Sequence, residues 1–213
     1  MFGGQVAPSG QVQIKRIPVQ RAPWSWRLRN GLRWGFVWGW LCHRLAHAFS
    51  RLTGIPTMVG ELAIRVKRLD GSWVDYGTVC YRVVTDAGVA YIVDDLDAAS
   101  GSADISNWNY HGCGTDNTAE DVTDTALGAE TTTSLNPNDT RATGTRSQPA
   151  ANQYRSTGTL TFDGSVAVVE HGLFTQAATG GGTMLDRSVY SAVNVVSGES
   201  IQFQYTFTLT SGS

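Results

Sequence analysis

At 213 residues, with 24 glycines and only 16% charged side chains, the chain is long enough for one large or two small domains with a proper core and too poor in Leu, Glu and Lys for a helical bundle. Its net charge of −2 hides an imbalance: residues 1–57 carry eight bases (Lys15, Arg16, Arg21, Arg27, Arg29, Arg33, Arg44, Arg51) and no acid, while residues 58–213 carry eight bases against eighteen acids. That asymmetry predicts a basic arm on an acidic body, and three widely spaced cysteines (Cys42, Cys80, Cys113) argue against a paired secretory disulfide framework and for free thiols in a reducing cytoplasm.

Residues 1–23 hold three Gly and three Pro without a strong period and read as an extended arm. Five of the seven tryptophans then fall between Trp24 and Trp40. Leu41, Leu45, Ala48 and Leu52 recur at helical spacing, and Gly54 and Pro56 give the stop signal. The longest uncharged run, Trp34 to Cys42, is nine residues, about half of what a spanning helix needs. A signal peptide would fit a basic start and a cleavage site at Ala46-His47-Ala48, but the basic region is too long and Arg44 interrupts the approach. One reading of residues 1–57 is an arm that docks a partner or a membrane surface, because Trp and Arg bring contact area and charge together. Its contact residues would be Trp24, Trp26, Arg27, Arg29, Arg33, Trp34, Trp38 and Trp40. The other is that Met58 is the true start and the preceding stretch is upstream-translated sequence without a selected fold.

From Met58 a β-rich domain is predicted over residues 58–213. Leu62, Ile64 and Val66 alternate with polar or small residues in a half-buried strand, Asp70-Gly71 is a hairpin turn, and Trp73 to Val84 returns with apolar side chains in both phases. Thr85 and Asp86 can cap a short helix over Gly88–Leu96, with Val89, Ile92, Val93 and Leu96 on one face. The Ala98–Ala103 stretch breaks it, and Ile105–His111 reads as a strand with Trp108 and Tyr110 on one side. Asn117 and Glu120 resemble a capping box opening a second helix over Thr118–Leu127. Strands follow at Glu130–Ser134, Arg141–Ser147, Tyr154–Phe162, Val166–His171 and Met184–Val196. The clearest is last: Ile201, Phe203, Tyr205, Phe207 and Leu209 alternate with Gln202, Gln204, Thr206 and Thr208. The expected fold is mainly β, a sandwich or distorted barrel with two short helices, preceded by the arm and its Trp-rich helix.

Hydrolase, Walker, dinucleotide and zinc-protease motifs are absent from the sequence. His43 and His47 have the i, i+4 spacing of metal ligands beside Cys42, without a fourth ligand nearby, so a mixed amphipathic helix is the simpler reading. His111 and Cys113 share a strand face and could pair as base and thiolate; a tightly ended strand is the plainer account. Asp186-Arg187 reads as an internal ion pair, and Gly180-Gly181-Gly182 as a flexible loop, since the Lys of a phosphate loop is missing. No enzyme and no cofactor is expected.

Several of these segments also carry a resemblance. Tyr110-His111-Gly112-Cys113-Gly114-Thr115, Thr118-Ala119-Glu120 and Asp124-Thr125-Ala126-Leu127 are similar to a family of small tailed-bacteriophage virion proteins, variously labelled tail fibre or structural protein. Arg141-Ala142-Thr143-Gly144-Thr145, Glu170-His171-Gly172-Leu173-Phe174, Leu185 to Ala192 and Ser200 to Thr206 continue the likeness in order, over roughly Val59–Gly212. Cys113 departs from the small or apolar residue expected there, and residues 1–57 lie outside the resemblance. It implies a non-enzymatic particle component, in head decoration or in tail or fibre, assembled in host cytoplasm with other virion proteins and as a homo-oligomer. The alternative it leaves open is a fibre module that binds host-surface glycan; specific nucleic-acid binding is not expected. Exposed Trp73 or Trp108 would favour the glycan reading, and buried ones the structural subunit.

Overall fold

The computed structural model describes residues 19–81, 83–97 and 104–211; the first eighteen positions of the expected arm and the Ala98–Ala103 break lie outside them. A short strand β1 (Val19–Arg21) precedes two helices, α1 (Trp24–Gly31) and α2 (Trp34–Thr53). The hairpin β2 (Thr57–Lys67) and β3 (Trp73–Tyr81) follows, then β4 (Val83–Val84) and helix α3 (Asp86–Leu96). After a single 3-10 turn at Ile105–Asn107 come β5 (Tyr110–Gly114), β6 (Leu135–Asn136), β7 (Ala142–Thr143), β8 (Thr145–Ala150), β9 (Gln153–Phe162), β10 (Val166–Phe174), β11 (Met184–Val195) and β12 (Ser200–Thr210).

These strands form two open sheets. The first runs β1-β3-β2-β12-β9-β6, with β8 also on β9; the second runs β4-β11-β10-β5-β7. Neither closes, so the arrangement is sandwich-like rather than a barrel. The core lies between them. Leu62, Ile64 and Val66 from β2 and Ile201 and Phe203 from β12 meet Val168 of β10 and Tyr190, Val193 and Val195 of β11. Side chains of this kind contribute about 1.5–3 kcal/mol each when fully buried. The alternation in β12 is observed as expected from Ile201 to Tyr205, with Ile201, Phe203 and Tyr205 buried and Gln202 and Gln204 half-exposed; beyond it Thr206 is buried and Leu209 exposed. In β3 the two apolar phases have a cause. Pairing with β2 slips between Leu62 and Ala63 and again between Ile64 and Arg65, and Gly77 takes a positive φ of 67°. Each slip shifts the pleat by one residue, so Val74 and Tyr76, then Val79 and Cys80, all turn inward.

Helix α3 matches its prediction closely, with Thr85 Oγ1 capping the Gly88 N–H at 3.0 Å. It lies so close to β11 that a Cβ on Gly88 would sit 3.0 Å from Leu185 Cα. The expected helix over Thr118–Leu127 is not formed. Asp116 Oδ1 accepts from both the backbone and hydroxyl of Thr118, and Asp121 Oδ1 does the same with Thr123. These local side-chain bonds replace the helical ladder. Asp124 N–H reaches only back to Asp121 O, so the segment is a string of turns. Glu130–Ser134 is likewise not a strand, since only Glu130 bridges to Gly114 before β6 begins at Leu135. Ile105–His111 starts as the 3-10 turn and extends only from Tyr110; Arg141–Ser147 is divided between β7 and β8.

The expected boundary at residue 57 is crossed by core contacts. Trp26 is 6% exposed within the main core, edge-on to Tyr76 at 4.6 Å. Its indole N–H donates to the Ala192 carbonyl at 2.8 Å. Asn30, also buried, donates to Val79 O and accepts from Ser191 N–H, which clasps α1 onto edges of both sheets.

Candidate functional site

Three arrangements concentrate functional groups, and they differ in access. The first is a sealed polar chain in the core. His111 Nε2 lies 2.8 Å from Ser156 Oγ, Ser156 Oγ–H donates to Asn109 Oδ1 at 3.0 Å, and His171 Nε2 lies 3.0 Å from His111 Nδ1. Strands β5, β9 and β10 bring these residues together although they are far apart in sequence. With the serine proton committed to Asn109, His111 donates to the serine oxygen through Nε2–H, and His171 donates to His111 Nδ1. A nucleophilic serine needs the opposite direction, its proton pointing at a basic imidazole. His111, His171 and Ser156 are all fully buried, with Phe203 packed 4.5 Å from the His171 ring. The chain therefore holds two sheets in register and offers no atom to a substrate. Cys113 is not a thiolate partner of His111: burial pushes its thiol up to about 12.

The second is an ionic network behind β10. Arg187 is 3% exposed and pairs with buried Glu170 at 2.9 Å, with Asp124 at 3.0 Å and with Asp116 at 3.1 Å. Burial works against its charge, but the hydrogen bonds to Asp124 and Glu170 outweigh it and hold its pKa above the ordinary value. The expected Asp186–Arg187 pair is thus not the one that forms; neighbours along a strand point to opposite faces, and Arg187 turns to the 116–128 turns instead. Arg141 does comparable work nearby, bidentate on Glu130 and 3.4 Å above the Phe174 ring. Both networks tie down loops.

The third reaches solvent. α2 lies on β2 and β3 through Phe36, Gly39, His43 and Ala46, and on the end of β12 through His47 and Ser50. A Cβ on Gly39 would approach Tyr81 Cβ to 2.9 Å, Ser50 donates to Thr210 O at 3.1 Å, and His47 shares a hydrogen bond with Thr210 Oγ1. Apart from Phe36, which packs on Tyr81, the inward face is thus small or polar. The outward face carries Val37, Trp38, Leu41, Leu45, Phe49 and Leu52, all exposed, with Leu52 at 88%. The leucine stripe that marked this helix in the sequence points away from the protein. Arg44 lies along it, its guanidinium 5.5 Å from the Trp40 ring. Between α2 and the sheet edge runs a groove of about 670 Å³ lined by Trp38, Cys42, His43, Met58, Tyr81 and Glu120. Burial, then the neighbouring His47 and Arg44, lower the His43 pKa.

Of the residues expected to bind a partner, Trp24, Trp38, Trp40, Arg27 and Arg29 are exposed and Arg33 is half-buried at the groove, while Trp34 is the first residue of α2. Trp26 is not available, being part of the core. Nothing in the sequence marks Asn30, since a lone Asn in a basic helix carries no pattern. Among the described residues no three His, Cys, Asp or Glu side chains are placed to hold a metal ion, and no helix is long and apolar enough to cross a membrane. The chain matches no protein-family model, no curated protein and no solved structure.

Proposed function

We propose that this chain is a non-enzymatic structural subunit of a tailed-phage particle, a head-decoration or tail component that assembles through the outer face of α1 and α2. The uncovered apolar face of α2 carries this reading. An exposed stripe of Leu, Phe and Trp on a helix whose other side is already packed is a hazard on a lone subunit and an asset in an assembly. The sealing of the polar clusters supports a mechanical role for them. They also include many of the motif residues that resemble virion proteins: His111, Arg141, Glu170, His171 and Arg187 all hold strands or loops together. Those motifs then mark the architecture of a particle protein rather than a reaction centre. The glycan-binding alternative draws less support, since Trp108 is buried beneath Tyr91 and Trp73 is half-buried at the sheet edge beside β1.

The test is incorporation. A tagged chain carrying Leu41→Glu and Leu45→Glu, produced during infection by the virus that encodes it, is compared with the wild type for co-purification with particles. Loss of incorporation with unchanged melting supports the reading; equal incorporation, or a wild-type chain absent from particles, rejects it.

A further inference from the structure

A second uncovered stripe lies on α3. Gly88, Tyr91 and Ile92 turn toward β11 and Trp108, and Val89, Val93 and Leu96 face outward at 46%, 58% and 79% exposure. The i, i+4, i+7 spacing makes them one continuous row. The charges around the two stripes are opposite in sign. Helix α2 carries Arg44 and Arg51 and no acid, within a stretch (residues 19–57) of six arginines and no acid. The segment from Asp86 to Asp97 holds four aspartates and no base.

We infer that α2 of one copy docks on α3 of a second copy, Leu41, Leu45 and Leu52 against Val89, Val93 and Leu96. Three observations favour a second copy as the occupant. Both stripes are apolar rows on single helices, so they can pair ridge into groove as helices do. Their flanking charges attract across copies and repel within either like-with-like pairing, α2 on α2 or α3 on α3. The lengths also agree: Leu41 to Leu52 spans about 16 Å and Asp86 to Asp97 about the same, at 1.5 Å per residue. A lipid surface would cover the basic stripe and leave the acidic one bare, whereas copy-on-copy docking covers both. Because the two surfaces differ, the contact is head-to-tail, and repetition closes a ring or extends a row according to the rotation per step. One helix pair buries less than a standard interface, so isolated subunits associate weakly, with Kd roughly in the 10–100 μM range. A symmetric array adds avidity.

This inference rests on the proposed assembly role of the α2 face but fails separately from it. The experiment is sedimentation equilibrium of the full-length protein up to about 100 μM, with Leu45→Glu and Val93→Glu variants. Val196→Glu, in the exposed turn between β11 and β12, serves as control. Leu52→Glu replaces Leu45→Glu should the latter fail to fold by circular dichroism. The wild type is expected to self-associate, more weakly as salt rises. Each single variant is expected to weaken association at least about tenfold, and the control to leave it unchanged. The deciding sample is an equimolar mixture of Leu45→Glu and Val93→Glu. The first retains an intact α3 and the second an intact α2, so the mixture forms heterodimers that neither makes alone. A wild type that stays monomeric overturns the inference, as does Leu45→Glu acting alone while Val93→Glu has no effect, or a mixture that does not associate. A monomer that still needs α2 for particle incorporation assigns the face to another virion protein and leaves the proposed function standing. A monomer that instead sediments with phosphatidylserine vesicles assigns it to lipid.

Discussion

Glu170, itself without exposure to solvent, accepts from the N–H groups of Asp116, Gly128 and Ala129 and from the Arg187 guanidinium. Glu170→Gln turns one acceptor into a donor facing donors and leaves Arg187 short of charge. Chemical denaturation should show a loss of about 3–5 kcal/mol, the cost of breaking a buried pair from one side. The surrounding aspartates add an acid-side dependence. Hydrogen bonds from Thr118, then the charge of Arg187, hold Asp116 below its ordinary pKa of 3.8, and Thr123 does the same for Asp121. A depressed folded value means that this stabilisation is complete above the unfolded-state range near 3.8 and disappears as pH falls through the lower folded values. Asp116→Asn should flatten the stability-against-pH curve below that point and leave it little changed in slope at neutrality. The thiols give a third test: Cys42 is exposed while Cys80 and Cys113 are buried, so a thiol reagent should titrate one group per native chain and three in denaturant. Rapid native labelling of Cys113 would contradict its sealed position. At this scale the sequence was partly legible. Free thiols could be counted, but Arg187 pairs with Glu170 on the neighbouring strand and with Asp124 and Asp116, 63 and 71 residues away, and no local pattern announces a contact made by tertiary closure.

Among the elements, α1 and α2 separate two kinds of tryptophan that look alike in sequence. Trp26→Ala should cost about 3–5 kcal/mol, because it empties a core site and strands two carbonyls. Trp40→Ala, at an exposed position, should change the melting midpoint by no more than about 0.5 kcal/mol in equivalent stability. Similar losses for both would mean that α2 is packed on both sides. For Gly88→Ala, the new methyl meets the β11 backbone, and the overpacking should cost about 1–3 kcal/mol. Periodicity located α2, its Gly54 stop and the β12 alternation correctly, because each is a local pattern. What it lacked was direction. A 3.6-residue stripe is equally a core face or a docking face, and here the side of α2 turned to the sheets holds Phe36, glycine, alanine, histidine and serine. Conversely, Asn117 and Glu120 spelled a helix start that two Asx-type turns outcompeted, a contest decided by Thr118 and Thr123 sitting two residues after an aspartate.

For the whole molecule, the two helices are joined to the sheets by Trp26 and Asn30, so a fragment starting at Met58 uncovers Tyr76, Val79 and the Ser191 N–H. Such a fragment should melt lower than the full chain and expose dye-binding apolar surface; an unchanged melting curve would show that the helices are passengers. The order in which the sheet is completed has a further consequence. β12, the last strand described, pairs along its whole length with β2 on one side and from Ser200 to Thr208 with β9 on the other. During synthesis the ribosome delivers both neighbours long before the strand that joins them, and each waits with an open edge. A chain stalled before Ser200 is then a template with a vacant central slot, prone to capture a strand from another molecule. The same slot invites repair from outside: a synthetic peptide of residues 200–210, supplied as the truncated chain refolds, has two ready edges to enter.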